Sequence, residues 1–123
     1  MRNGEQGAIG EVKGINGNVK PNEVASIVSH RKEAELADNF PTIIIARTFA
    51  NVDKIVDRRI EPNVCRRAKE DNVLIMRTLD LALFKRGLEE ERPGFELSSV
   101  WEFLGAGGGW LEVTVDSLVL HVE

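Results

Sequence analysis

Two uninterrupted apolar runs set the strongest limit on what this chain can fold into. Pro41-Thr42-Ile43-Ile44-Ile45-Ala46 and Val73-Leu74-Ile75-Met76 are short, lack polar alternation and favour β-branched residues. A strand with one wet face alternates apolar and polar residues. A continuous run instead suits a strand buried on both faces of a parallel sheet with helices above and below. Both runs end in Arg-Thr, at Arg47-Thr48 and Arg77-Thr78.

The intervening segments read as helices. From Pro21 or Asn22 to about Leu36, Val24, Ile27 and Val28 form an apolar stripe at helical spacing behind an Asn22 N-cap. Val56, Ile60, Val64 and Ala68 lie four apart, and Pro62 divides a short turn from a helix over 62–71. Thr78 is placed to cap a further helix with Leu79, Ala82 and Leu83 facing inward and Gly87 ending it. An initial strand spans Ala8 to Ile15 and runs into the turn-rich Gly14-Ile15-Asn16-Gly17-Asn18. Strand and helix thus alternate three times, which predicts right-handed crossovers, three parallel strands and helices on both sides. The fold class expected is α/β, a three-layer α/β/α arrangement around a mixed, mainly parallel sheet.

A chain of 123 residues, 42% hydrophobic and 29% charged, is sized and composed for one folded domain over 1–123, and suggests neither disorder nor a membrane protein. No apolar run nears the roughly 20 residues of a membrane span, and no signal-peptide core follows Met1. A cytoplasmic protein with no membrane partner is expected. Cys65 is the only cysteine, and with only His30 and His121 beside it there is no zinc-ligand set.

Charge is unevenly placed. Residues 1–88, the α/β core, carry 15 Lys/Arg against 12 Asp/Glu, whereas residues 89–123 carry 1 against 8. A mildly basic body is compatible with local phosphate contact. In the acidic C-terminal part, Ser99-Val100-Trp101-Glu102 matches a capping box and predicts a helix over about 98–104. Gly105 to Gly109 reads as a helix stop and turn, because a phosphate-binding loop would need a Lys-Ser/Thr signature and a following helix. Trp110 to Val122 is a terminal strand, or a hairpin turning near Asp116-Ser117. A serine or cysteine hydrolase is disfavoured: there is no Gly-x-Ser-x-Gly elbow, and Cys65 falls within a predicted helix.

Chemistry points to Gly10-Glu11-Val12-Lys13-Gly14. On a strand, Glu11 and Lys13 share one face with Ile9 and Ile15. A carboxylate beside a lysine can hold a divalent metal and position a water for attack on a phosphodiester. Ligands of open α/β sheets bind beyond the carboxyl ends of the strands. Those ends carry Glu11 and Lys13, then Arg47, then Arg77, which together suit a phosphodiester. The competing reading has Arg47 and Arg77 solvating strand ends or pairing with Asp53, Asp57 or Asp80. His30 has no identifiable partner acid and reads as a surface or packing residue.

With these residues in hand, the chain resembles the restriction-endonuclease-like superfamily of PD-(D/E)xK nucleases, whose signature is an upstream Asp, an Asp/Glu-x-Lys strand, a helix and a parallel strand. Gly10 to Gly14 matches the second half of that signature. Pro62-Asn63 through Thr78-Leu79-Asp80-Leu81, then Gly107-Gly108-Gly109-Trp110-Leu111, look like the C-terminal part of bacterial and archaeal domains of this type. The resemblance covers about residues 8–111. It implies that Glu11 and the Val12 carbonyl are metal ligands, that Lys13 orients or activates the attacking water, and that DNA or another nucleic acid is the partner. The first acid of the pattern has no counterpart, since Glu5 is the only acid before Glu11. The expectation is therefore an N-terminally truncated nuclease domain in which Mg²⁺ keeps mostly waters and binds weakly. The alternative is a non-catalytic homodimeric assembly module. Truncation would leave the strand over 8–15 with an open edge, closed by a homodimer or by the terminal Trp110–Val122 segment folding back.

Overall fold

The computed structural model describes residues 2–3 and 6–123. The elements in chain order are β1 (Arg2–Asn3), β2 (Gln6–Gly7), β3 (Ile9–Gly14), α1 (Pro21–Glu33), β4 (Thr42–Arg47), α2 (Pro62–Glu70), β5 (Leu74–Arg77), α3 (Thr78–Glu89), α4 (Leu97–Gly105), β6 (Gly109–Val113) and β7 (Leu118–His121). β1 and β2 pair antiparallel with each other, apart from the main sheet. The main sheet is mixed, with order β3-β4-β5-β6-β7; the first four strands are parallel and β7 is antiparallel to β6.

The β-branched runs work as their lack of alternation predicts, because each face of β4 and β5 feeds a different core. Ile44, Ala46 and Ile75 join Trp110 beneath Val24 and Ile27 of α1 and Val64, Cys65 and Ala68 of α2. Leu74 and Met76 face the other way, with Leu111 and Val113, beneath Phe84 of α3 and Leu104 of α4. The result is three layers: α1 and α2, the sheet, then α3 and α4. Since β3, β4, β5 and β6 succeed one another in a single direction, the β5–β6 connection, on the face opposite the first two, winds with the opposite hand to them.

Several local expectations are corrected. Lys20, not Asn22, is the N-cap of α1, since Pro21 already has the fixed φ and missing N–H that suit the first helical position. Thr78 lies inside α3; Asp80 closes the helix start instead, its carboxylate accepting the Arg77 N–H at 2.8 Å. Ala82 is exposed. Gly87 does not end α3, which runs on to Glu89. It is buried against Phe95, whose Cδ1 would lie 2.0 Å from an added Cβ. The C-terminal helix starts at Leu97, with Glu96 as N-cap; the Ser99 hydroxyl bonds the Gly94 carbonyl rather than forming a box with Glu102. At Gly108 the chain passes close to the C-terminal end of α2, a Cβ there falling 2.5 Å from the Val73 carbonyl oxygen and 2.6 Å from that of Ala68.

The two edges of the sheet differ. The C-terminal segment forms β6 and β7 at the far edge, so it does not fold back onto β3. Among the described residues no strand pairs with the outer side of β3. On the α3/α4 face, beside that edge, an apolar groove of about 450 Å³ is floored by Ile43 and Ile45 and walled by Leu81, Leu97 and Trp101. No helix among the described residues is long and apolar enough to cross a membrane.

Candidate functional site

β3 alternates half-buried Ile9, Glu11 and Lys13 with exposed Gly10, Val12 and Gly14. The half-buried set lies on the α1 side, where Ile15 also packs. Parallel pairing places Glu11 beside Ile44 and Lys13 beside Ala46. The two polar side chains therefore emerge from the margin of an apolar core, which removes part of their hydration and strengthens their mutual interactions.

Helix α1 completes the corner. Lys13 Nζ donates to Glu23 Oε2 at 3.2 Å and lies 3.8 Å from Glu11 Oε2. His30 Nδ1 stands 3.5 Å from the same Glu11 oxygen. Side-chain exposures of 17% for Lys13, 20% for Glu23, 27% for Glu11 and 49% for His30 describe a recess open on the His30 side. Glu11 Oε2 is buried yet has no hydrogen-bond partner. His30 thus has an acid partner after all, and a second carboxylate enters from α1 rather than from an upstream strand. Both were hidden because the contacts span long sequence separations. The one available signal was the seven-residue spacing of Glu23 and His30, two helical turns along one face.

Arg47 and Arg77, alike in sequence, have different fates. Arg47 is exposed at the end of β4 and lines a small cavity of about 90 Å³ with Thr48, Asp53, Lys54 and Thr78. Arg77 is buried, at 2% exposure. Its Nε and Nη2 donate to Asp80 at 2.9 and 2.7 Å, and its Nη1 to Asp57 at 2.7 Å and to the Arg58 carbonyl at 3.1 Å. Its guanidinium also lies 4.7 Å from the Trp110 ring centroid. Burial opposes its charge, but the bonds to Asp80 and Asp57 outweigh that and raise its pKa. Of the two readings for Arg77, the nucleic-acid contact gives way to pairing with Asp57 and Asp80: it is a scaffold residue with its donors already engaged. Arg31, unremarked in the sequence, is a second buried arginine, donating to the Asp71 and Asn72 carbonyls at the C-terminal end of α2.

Among the described residues, no three His, Cys, Asp or Glu side chains converge as a metal-ligand set. Any divalent ion at this corner would rest on Glu11, a backbone carbonyl and waters. Even-numbered residues of β3 have such carbonyls free: the N–H of Ile9 donates to Pro41 and that of Ile15 to Arg47, so in a parallel ladder the odd residues bond β4. The N–H and C=O of Val12 consequently point to the open edge. Comparison of the chain with protein-family models, curated proteins and solved structures finds no match.

Proposed function

We propose that the chain is a restriction-endonuclease-like, nuclease-fold module, acting in the cytoplasm, whose Glu11–Lys13 corner takes the phosphodiester of DNA or another nucleic acid. One observation carries the reading: the buried Glu11 Oε2 without a hydrogen-bond partner. A buried acceptor left without a donor costs free energy, which a bound cation or water relieves. Glu11 and the Val12 carbonyl would hold Mg²⁺, with waters filling the other positions. When bound, that ion supplies Lewis-acid polarisation of the phosphodiester. Lys13, tethered by Glu23, would hold the attacking water beside Glu11. His30 stands where it can accept that water's proton. Arg47 and Lys54, flanking the cavity at the ends of β4 and β5, supply cations for a neighbouring phosphate.

Calorimetric titration with Mn²⁺ or Mg²⁺ tests the corner directly. Weak binding is expected for the wild type and none for Glu11→Ala; equal heats from both proteins would remove Glu11 from any metal role. A second reading, a non-catalytic homodimeric assembly module, draws on the open edge of β3.

A further inference from the structure

The open edge of β3 carries more than unpaired backbone. Its outward N–H and C=O groups belong to Gly10, Val12 and Gly14, the residues that do not bond β4. Val12 is 77% exposed and faces the same side of the sheet as its register partner Ile45, which floors the apolar groove. Gly10 and Gly14 flank it symmetrically, and so do Glu11 and Lys13. The segment is self-complementary when reversed about Val12.

We infer that β3 pairs antiparallel with β3 of a second copy, with the two-fold axis at Val12, joining two five-stranded sheets into one. In that register Val12 lies opposite Val12, Gly10 opposite Gly14, and Glu11 opposite Lys13 of the other chain. The outward-pointing residues become the hydrogen-bonded pairs, giving roughly six backbone bonds across the axis. Glu11 and Lys13 become the closely spaced non-bonded pairs, so two opposite charges face each other on the α1 side. On the other face the two Val12 side chains meet where glycines leave room, and the apolar grooves flank the junction. Sliding the register by two residues would set Glu11 against Glu11 or Lys13 against Lys13, so charge selects the stated pairing. The second copy also enters the corner described above, each Glu11 gaining a further ammonium across the axis. The Val12 carbonyl oxygen has two lone pairs, so a bond across the axis leaves one free.

Sedimentation of the intact chain provides the test, and it is independent of metal or nucleic acid. The wild type is expected to dimerise at micromolar concentration. Val12→Pro should be monomeric, because proline removes an N–H that points away from β4 and is tolerated on an edge. Glu11→Lys and Lys13→Glu, each placing like charges opposite one another, should weaken self-association about tenfold. Mixed in equal amounts, these two variants should form a heterodimer in which every opposed pair is again of opposite sign. A wild type monomeric at every accessible concentration overturns the proposal, as does a Val12→Pro dimer. If Val12→Pro fails to fold, the charge variants decide alone: homodimers unaffected by the swaps, or no heterodimer on mixing, would rule out the Val12-centred register.

Discussion

Replacing Asp80 with alanine should bring this protein close to unfolding. The Asp80 carboxylate is fully buried and accepts five hydrogen bonds: the Arg77 N–H, Nε and Nη2, Trp110 Nε1 at 3.0 Å and the Val113 N–H at 3.0 Å. One side chain therefore ties together the end of β5, the start of α3 and the strand β6. Alanine would leave the Arg77 guanidinium buried with only Asp57, whose side chain is 75% exposed, as counter-charge. Removing one partner of a buried ion pair costs about 3–5 kcal/mol. Each neutral donor stranded beside it costs about 1–3 kcal/mol more. Because these groups share one network the terms do not add, and the expected loss is about 4 kcal/mol. Against a total stability of roughly 5–15 kcal/mol, that is a large fraction. With a urea slope of about 1.5 kcal/mol per molar, the unfolding midpoint followed by circular dichroism should fall by about 2–3 M. The double variant Arg77→Met with Asp80→Leu should recover at least half of the loss, since it removes the isolated charge as well as its partner. A loss below about 1 kcal/mol for Asp80→Ala, or a double variant no better than the single, would refute the reasoning.

Gly87→Ala should destabilise by about 1–3 kcal/mol through overpacking, since the new methyl would meet the Phe95 ring; a thermal midpoint equal to wild type would show that the ring has room to move. Burial raises the pKa of the Cys65 thiol. Its stabilising effect is complete below the unfolded thiol's pKa of about 8.5 and is lost as pH rises through the higher native value, so alkali should lower the wild-type urea midpoint more than that of Cys65→Ala. Equal alkaline sensitivity would count against the buried thiol. For nucleic-acid binding, Lys13→Ala and Arg47→Ala should each reduce the steepness of the log–log salt dependence by about one, measured by fluorescence anisotropy. Arg47→Ala should leave stability within about 0.5 kcal/mol of wild type. An unchanged salt slope in both variants would remove them from the phosphate contact.

The layers of the fold were legible because burial on two faces leaves a one-dimensional trace. The unbroken runs around Ile43–Ile45 and Leu74–Met76 are β4 and β5, and Pro62 marks the start of α2. What was not legible has a common cause: sequence shows which residue types are present but does not choose among the partners each one can meet. Arg47-Thr48 and Arg77-Thr78 are the same dipeptide at the ends of adjacent strands, but the register sets Arg77 beside Ala46, so the two arginines leave opposite faces of the sheet. On its face Arg77 is enclosed by Trp110, by Asp80, which β6 also bonds, and by the loop through Asp57. Gly87 looks like a helix stop because a glycine that ends a helix and one that admits a phenyl ring have the same one-letter record. The Glu11–His30 approach crosses from strand to helix, and the Glu23–His30 spacing marks only the helix side of it.

The strand order of the main sheet repeats the order of the chain without exception. As the polypeptide leaves the ribosome, each new strand can therefore dock on the one just made, and none has to force its way between two already joined. Growth of this kind leaves only the first and last positions unsealed at any moment. The last is reached by a tight return through Thr114 and Ser117, which sets β7 antiparallel at the far edge. The first, β3, precedes every other strand of the main sheet in the chain, so its outer side is exposed throughout that growth.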